Sequence, residues 1–366
     1  MASRARNLSG LMGTSSTLDI NDIDNLGDLT GVDSYDDSDA LALAIVPIGT
    51  QAYQADTGSF KIYRGASGWA QMDEFPTAPT ATQAQGTVSG YTSGGNTPPT
   101  VVNTIDKFPF AADGNATDVG DLTQARQGPA GQSSTTSGYT SGGHAPPQVN
   151  TIDKFSFAAD GNATDVGDLT VSRWTTMGQS SDVSGYTSGG RAGISVNPID
   201  KFQFASDANA TDVGDTLVAV KEGAGSSSTS HGYIAGGEDT SARINTIQKF
   251  PFAADANATD VGDLTAVRNN NAGQSSVASG YASGGVPTTN SIEKFPFASD
   301  ANATDVGDLT QTTARAAGQS STDNGYTSGG GGPINTIDKF SFSADGNATD
   351  VGDLTQGRDI PAGQQV

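Results

Sequence analysis

Residues 90–123 read GYTSGGNTPPTVVNTIDKFPFAADGNATDVGDLT, and this stretch decides the fold because the chain repeats it. Its Gly-Tyr pair recurs at Tyr91, Tyr139, Tyr186, Tyr233, Tyr281 and Tyr326, with spacings of 48, 47, 47, 48 and 45 residues. Self-similarity at such a period is the mark of solenoids, propeller blades or arrays.

Within one copy, turn residues separate short strand patterns. Tyr91-Thr92-Ser93 runs into Gly94-Gly95, where positive φ or close backbone approach is cheap. In Ile105–Phe110 the two phenylalanines stand two apart and share a face. Asp113-Gly114-Asn115 has strong turn chemistry. Asp118–Leu122 reads as a third strand. A fourth, AGQSS, precedes the next Gly-Tyr at Ala130–Ser134, Ala272–Ser276 and Ala317–Ser321, with variants opening at Met177 and Ala224. No apolar 3.6-residue period survives beyond a turn, so helix is a poor alternative.

Four strands in roughly 47 residues suit a propeller blade, whereas coils of a parallel β-helix are shorter. Pro109, Pro251 and Pro296 fall inside a strand pattern, and each removes a ladder donor. They are expected at a strand end or bulge. The small residues of AGQSS suit the crowded innermost strand. The chain finishes on Ala362–Val366, an AGQSS equivalent with no copy after it. The expected fold is therefore all-β: a six-bladed β-propeller over 85–366, with repeats starting near 90, 138, 185, 232, 280 and 325. The C-terminal strand is expected to complete the first blade and close the ring, which removes exposed sheet edges.

The hydrophobic strand ending in Gly-Gly, the loop and the TIDKFPF strand resemble kelch-type repeats in all six copies. The sequence departs from that pattern in its last strand, which ends Gly-Asp-Leu where a kelch repeat has a Trp. Trp69 and Trp174 are the chain's two tryptophans.

Ahead of the repeats, residues 1–45 are polar and acidic and read as an extended anchoring tail carrying Arg4 and Arg6. The stretch Leu18–Leu26 reads either as a short helix or as an extended segment. Residues 46–75 read as a small β-meander, with Tyr53, Phe60, Ile62, Tyr63 and Trp69 around an Asp-Thr-Gly and a Gly-Ala-Ser-Gly turn. Residues 76–84 read as a linker. The meander, and the Arg-Ala-Arg-Asn-Leu start, resemble structural proteins of tailed bacteriophages, especially fibres and appendages of marine phages. That resemblance implies a virion structural protein assembled in the host cytoplasm. It would be a homo-oligomer, anchored to other virion proteins through Arg4 and Arg6 and facing a host glycan or protein. A generic kelch-like protein-binding adaptor is the alternative, and a glycan-processing propeller enzyme a third.

Composition narrows the chemistry. The net charge of −22 divides into 4 basic and 11 acidic residues before position 85 and 14 basic and 29 acidic after it. Phosphate binding needs the opposite sign, so nucleic acid is not an expected partner. No apolar run approaches a membrane span. The start MASRARNLSGLMG lacks a secretory apolar core, which predicts no secretion signal. With no cysteine there is no disulfide, thiolate site or Cys-Tyr copper cofactor. His144 and His231, each read in or beside a variable loop, are too few for a histidine metal cluster. Asp-box turns of sialidases are absent, and the carboxylate pairs recur six times as frame residues. The expectation is no enzyme and no cofactor. Asp113, Asn115, Asp118 and Asp121 offer oxygens that calcium could use, or they are turn residues capping their own backbone. The Asn-Ala-Thr in each copy is a formal glycosylation sequon, read here as a turn.

The copies differ in two places only: the loop after Gly-Gly and the loop after Asp-Leu-Thr. In an up-and-down blade these two emerge on one face. Variation on one rigid face either presents binding residues or is drift in solvated loops. The candidate contact residues are His144, Arg173, Trp174, Arg191, Glu238, Arg243 and Arg268.

Overall fold

The computed structural model describes residues 85–366 apart from residue 333, together with the backbone pairing of four short strands between 33 and 71. The chain divides into two compact units, Met1–Thr80 and Ala81–Val366. In the first, Gln51–Gln54, Ser59–Tyr63 and Trp69–Gln71 form the expected antiparallel meander, and Asp33–Tyr35 adds a parallel strand to it. Strand pairing thus begins inside the segment expected as tail. Arg4, Arg6 and Leu18–Leu26 lie outside the described residues.

The second unit is a six-bladed β-propeller of six four-stranded sheets. Blade 2 is typical: Ala130–Ser133 is innermost, followed by Ser137–Ser141, Thr151–Ser156 and, outermost, Thr164–Asp168, all antiparallel. In blade 1 the innermost strand is Ala362–Gln365, paired with Ser89–Ser93 in the register Ala362↔Ser93 to Gln365↔Gly90. The ring closes as the repeat phase requires. Pro109, Pro251 and Pro296 are each the last residue of their strand, where the missing N–H costs no ladder bond.

Each apolar contact between blades has one recipe. The repeat Tyr lies fully buried and packs on the second Phe of the following blade, with centroids 4.7–4.9 Å apart, from Tyr91–Phe157 (tilted) round to Tyr326–Phe110 (stacked, like the other four). The first Phe of each pair is buried beside it. Such aromatic pairs add about 0.5–1.5 kcal/mol each beyond their buried area.

Toward the axis the packing becomes backbone on backbone. A Cβ on Gly131, Gly178, Gly225, Gly273, Gly318 or Gly363 would come within 2.1–2.4 Å of the carbonyl oxygen of the neighbouring inner-strand glycine. Only glycine fits there. The narrow axial cavity, about 60 Å³, is lined by these glycines and by serines such as Ser133, Ser180 and Ser227. Inner-strand glutamines clamp five of the six blades to the next, as where Gln132 Nε2 donates to Tyr186 O at 2.9 Å and Gln274 Nε2 to Tyr326 O at 3.0 Å; blade 4 has Ser226 instead, whose Oγ donates to Gln274 O at 3.2 Å.

Candidate functional site

The two faces of the ring differ in their side-chain contacts. On one face the repeated lysines and the turn Asp and Asn residues facing them tie each blade to its neighbour. Six Lys–Asp ion pairs, from Lys107–Asp160 to Lys339–Asp113, bridge adjacent blades at 2.5–3.3 Å. The sequon asparagines do likewise: Asn162 Oδ1 accepts from Asp121 N, and Asn115 Oδ1 from Asp353 N across the closure. The calcium candidates are dispersed by these duties. Asp113 faces Lys339, Asn115 faces Asp353, and Asp118 accepts from Gly120 N in its own turn. His231 opens the second strand of blade 4, on this uniform face, so it does not stand beside a variable loop with His144.

The opposite face carries both variable loop sets, joined within each blade by short backbone pairings. Gln127 pairs with His144, Trp174 with Arg191, Lys221 with Glu238, Asn269 with Val286 and Asp359 with Asn96. The residues next in line form a closed ring around the axis. Gly128 N donates to Ile360 O, Thr175 N to Gly128 O and Glu222 N to Thr175 O. Asn270 N donates to Glu222 O, Arg315 N to Asn270 O and Ile360 N to Arg315 O, all six bonds at 2.5–3.0 Å. All six residues have φ between 51° and 64°. Gly128 and Asn270 tolerate that conformation. For the β-branched Thr175 and Ile360 it costs on the order of 1–3 kcal/mol each, so the ring of hydrogen bonds holds strained backbone in place. Sequence reasoning missed this ring. Its one trace is a column in the repeats that holds Gly128 and Asn270, two residue types suited to positive φ.

Side chains around the mouth are unevenly distributed. At blades 2 and 3, Trp174 packs against Gly128 and lies 5.1 Å from the His144 ring. Trp174 Nε1, His144 Nδ1 and Thr176 Oγ1 are buried there with no hydrogen-bond partner. Arg191 is exposed on the hairpin beyond, and Ile194 at its tip is 73% exposed. Val171, Leu217 and Val218 are exposed apolar residues on the loops flanking blade 3. At blades 4 and 5 the mouth is polar. Lys221 Nζ pairs with Glu238 Oε1 at 2.7 Å, while Asn269 Nδ2 donates to Glu222 and Glu238, both at 2.8 Å. Arg243 Nε donates to Asn269 Oδ1 at 3.2 Å, and further round, on the loops entering blades 6 and 1, Arg315 pairs with Asp359 at 3.4 Å.

Two expected contact residues are corrected by the structure. Arg173 and Arg268 are buried, not displayed. Arg173 pairs with Asp200 at 3.2 Å and donates to Thr187 O, and Arg268 pairs with Glu293. Arg126–Asp153 and Arg358–Asp106 repeat the arrangement at 2.9 and 2.6 Å. Burial pulls the Arg126, Arg173 and Arg358 guanidinium pKa values down, opposed by the facing carboxylates. These arginines fasten the loop entering a blade to that blade's third strand. His144, Trp174, Arg191, Glu238 and Arg243 remain on the variable face.

No protein-family model matches this chain, and no curated protein matches its sequence.

Proposed function

We propose that this protein is a non-enzymatic binding module whose variable propeller face is the contact surface. The carrying observation is the division of labour between the two faces. Repeated polar groups hold blade to blade, while the unlike residues gather around one axial mouth bounded by a hydrogen-bonded backbone ring. A partner would meet Trp174, His144, Arg191 and Ile194 on one side and Glu238 and Arg243 on the other, presented by loops whose backbones are tied to one another by hydrogen bonds. Aromatic and arginine side chains on a fixed frame suit protein or glycan contact. The recurrent carboxylates are spent on the buried arginines and on backbone donors, which supports a structural protein rather than an enzyme.

The phage resemblance of the N-terminal unit extends this reading to an appendage of a tailed-phage particle: residues 1–45 attach it to other virion proteins and the propeller faces the host. A protein-binding adaptor outside a particle is the second reading, favoured by the exposed apolar residues around blade 3. Deleting residues 1–45 separates the two, since loss of particle incorporation supports attachment and retained incorporation rejects it. The contact surface is tested by binding of the full chain to cell surfaces and glycan arrays. Trp174→Ala with Arg191→Ala should lower binding at least tenfold, and loss of binding from Lys107→Ala on the uniform face instead would reject the assignment.

A further inference from the structure

Comparing the six blades position by position exposes one missing charge. Where blade 1 has Arg358 on Asp106, blade 2 Arg126 on Asp153, blade 3 Arg173 on Asp200 and blade 5 Arg268 on Glu293, the carboxylate is fully buried. Blade 4 loses both partners together: Val220 replaces the arginine and Gln248 the acid, and each is fully buried. Blade 6 loses only the cation. Thr313 stands at the arginine position, while Asp338 keeps its carboxylate at 4% exposure.

The surroundings that receive the guanidinium elsewhere persist in blade 6. In blade 1, Arg358 donates to the carbonyl oxygens of Thr92, Gly94 and Thr104 as well as to Asp106. The same strand register places Thr327, Gly329, Thr336 and Asp338 at those positions. Thr310 N and Oγ1 donate to Asp338 as Thr355 does to Asp106, which leaves the side of the carboxylate that faces a guanidinium in blade 1 without a cation. Thr313 Oγ1 lies over Gly330, where the arginines pass over the matching glycines, and it is buried with no hydrogen-bond partner. A buried carboxylate either binds a cation or takes up a proton.

We propose that blade 6 holds a monovalent metal cation, sodium or potassium, between the Asp338 carboxylate, Thr313 Oγ1 and the carbonyl oxygens of Thr327, Gly329 and Thr336. One full negative charge and neutral oxygens match the single charge of the guanidinium that occupies this place in four other blades. Calcium sites draw on more carboxylates than one. Burial, with a further push from Asp350, raises the Asp338 pKa in the cation-free protein, so a bound cation would return this group to its ionised form.

Thermal unfolding of the full chain in sodium or potassium chloride, against tetramethylammonium chloride at equal ionic strength, tests this. The organic cation is too large to enter. The midpoint in the alkali salts should lie about 2–4 °C higher. The difference should vanish in Thr313→Arg, which brings its own cation, and in Asp338→Asn. Equal midpoints in all three salts would overturn the site, as would a salt difference that persists unchanged in both variants. Stabilisation by calcium alone would overturn the monovalent assignment. Should Thr313→Arg fail to fold, thallium(I) soaked into crystals of the wild-type chain gives a second reading. An anomalous peak beside Asp338 supports the site, and a difference map empty there rejects it.

Discussion

Gln319, on the innermost strand of the sixth blade, donates its side-chain amide to the carbonyl oxygen of Tyr91 in the first, 2.9 Å away and 228 positions apart in sequence. The bond belongs to the seam where the ring meets itself, and it repeats the clamp that Gln132 and Gln274 make between consecutive blades. The seam carries the same glutamine clamp as four other boundaries, although blade 1 takes its inner strand from the far end of the chain.

Removal of Ala362–Val366 should therefore be severe. It strips the inner strand from blade 1, together with the bonds from Gln364 Nε2 to Tyr139 O and Thr140 Oγ1. We expect calorimetry to show a fall in the melting midpoint of at least about 10 °C, with aggregation through the bared edge. Gln319→Ala should cost about 1–2 kcal/mol. An unchanged melting curve for the truncation would reject closure by this strand.

The glycines of the inner strands should not tolerate even a methyl group. In Gly273→Ala the new Cβ would sit 2.1 Å from Gly225 O, so the variant is expected to lose about 3 kcal/mol or more in urea unfolding. Gly114→Ala, where nothing lies within 4 Å of the new atom, should stay within about 0.5 kcal/mol of wild type.

Blade 4 supplies the design for a charge swap in blade 2. Arg126→Val alone leaves Asp153 buried and unpaired and should cost about 3–5 kcal/mol. Adding Asp153→Gln reproduces the Val220–Gln248 arrangement and should recover most of that loss. A double variant as unstable as the single one would show that the ion pair itself, rather than charge balance, is required.

Alkali should unfold the ring through its tyrosines. Burial pushes the Tyr186 and Tyr326 hydroxyls up from 10.0 to about 12, and the other four repeat tyrosines are shifted the same way. The folded state then keeps protons that the unfolded chain gives up. This contribution to stability is complete below pH 10 and is lost as pH rises toward 12. Tyrosinate absorbance should appear together with unfolding, and Tyr186→Phe should flatten the decline. Ionisation of all six tyrosines near pH 10 in a folded ring would contradict their burial.

By itself the sequence determined the blade. Spacing of Gly-Tyr, alternation in TIDKFPF, turn chemistry at Asp-Gly-Asn and the stray AGQ at Ala362 are local signals, and each copy confirms the others. Blade number, closure and the sorting of variable loops onto one face follow from them. The tertiary structure alone decided what each variable residue does. Arg173 and Arg191 belong to neighbouring loops of one blade and look equivalent in sequence, yet one is buried against Asp200 and the other is exposed. The difference lies in whether a carboxylate on another strand faces the side chain, which no local pattern encodes. The same holds for the ring of left-handed residues, whose hydrogen bonds link six copies at once. It holds too for blade 6, where a threonine became notable only because the third strand kept its aspartate.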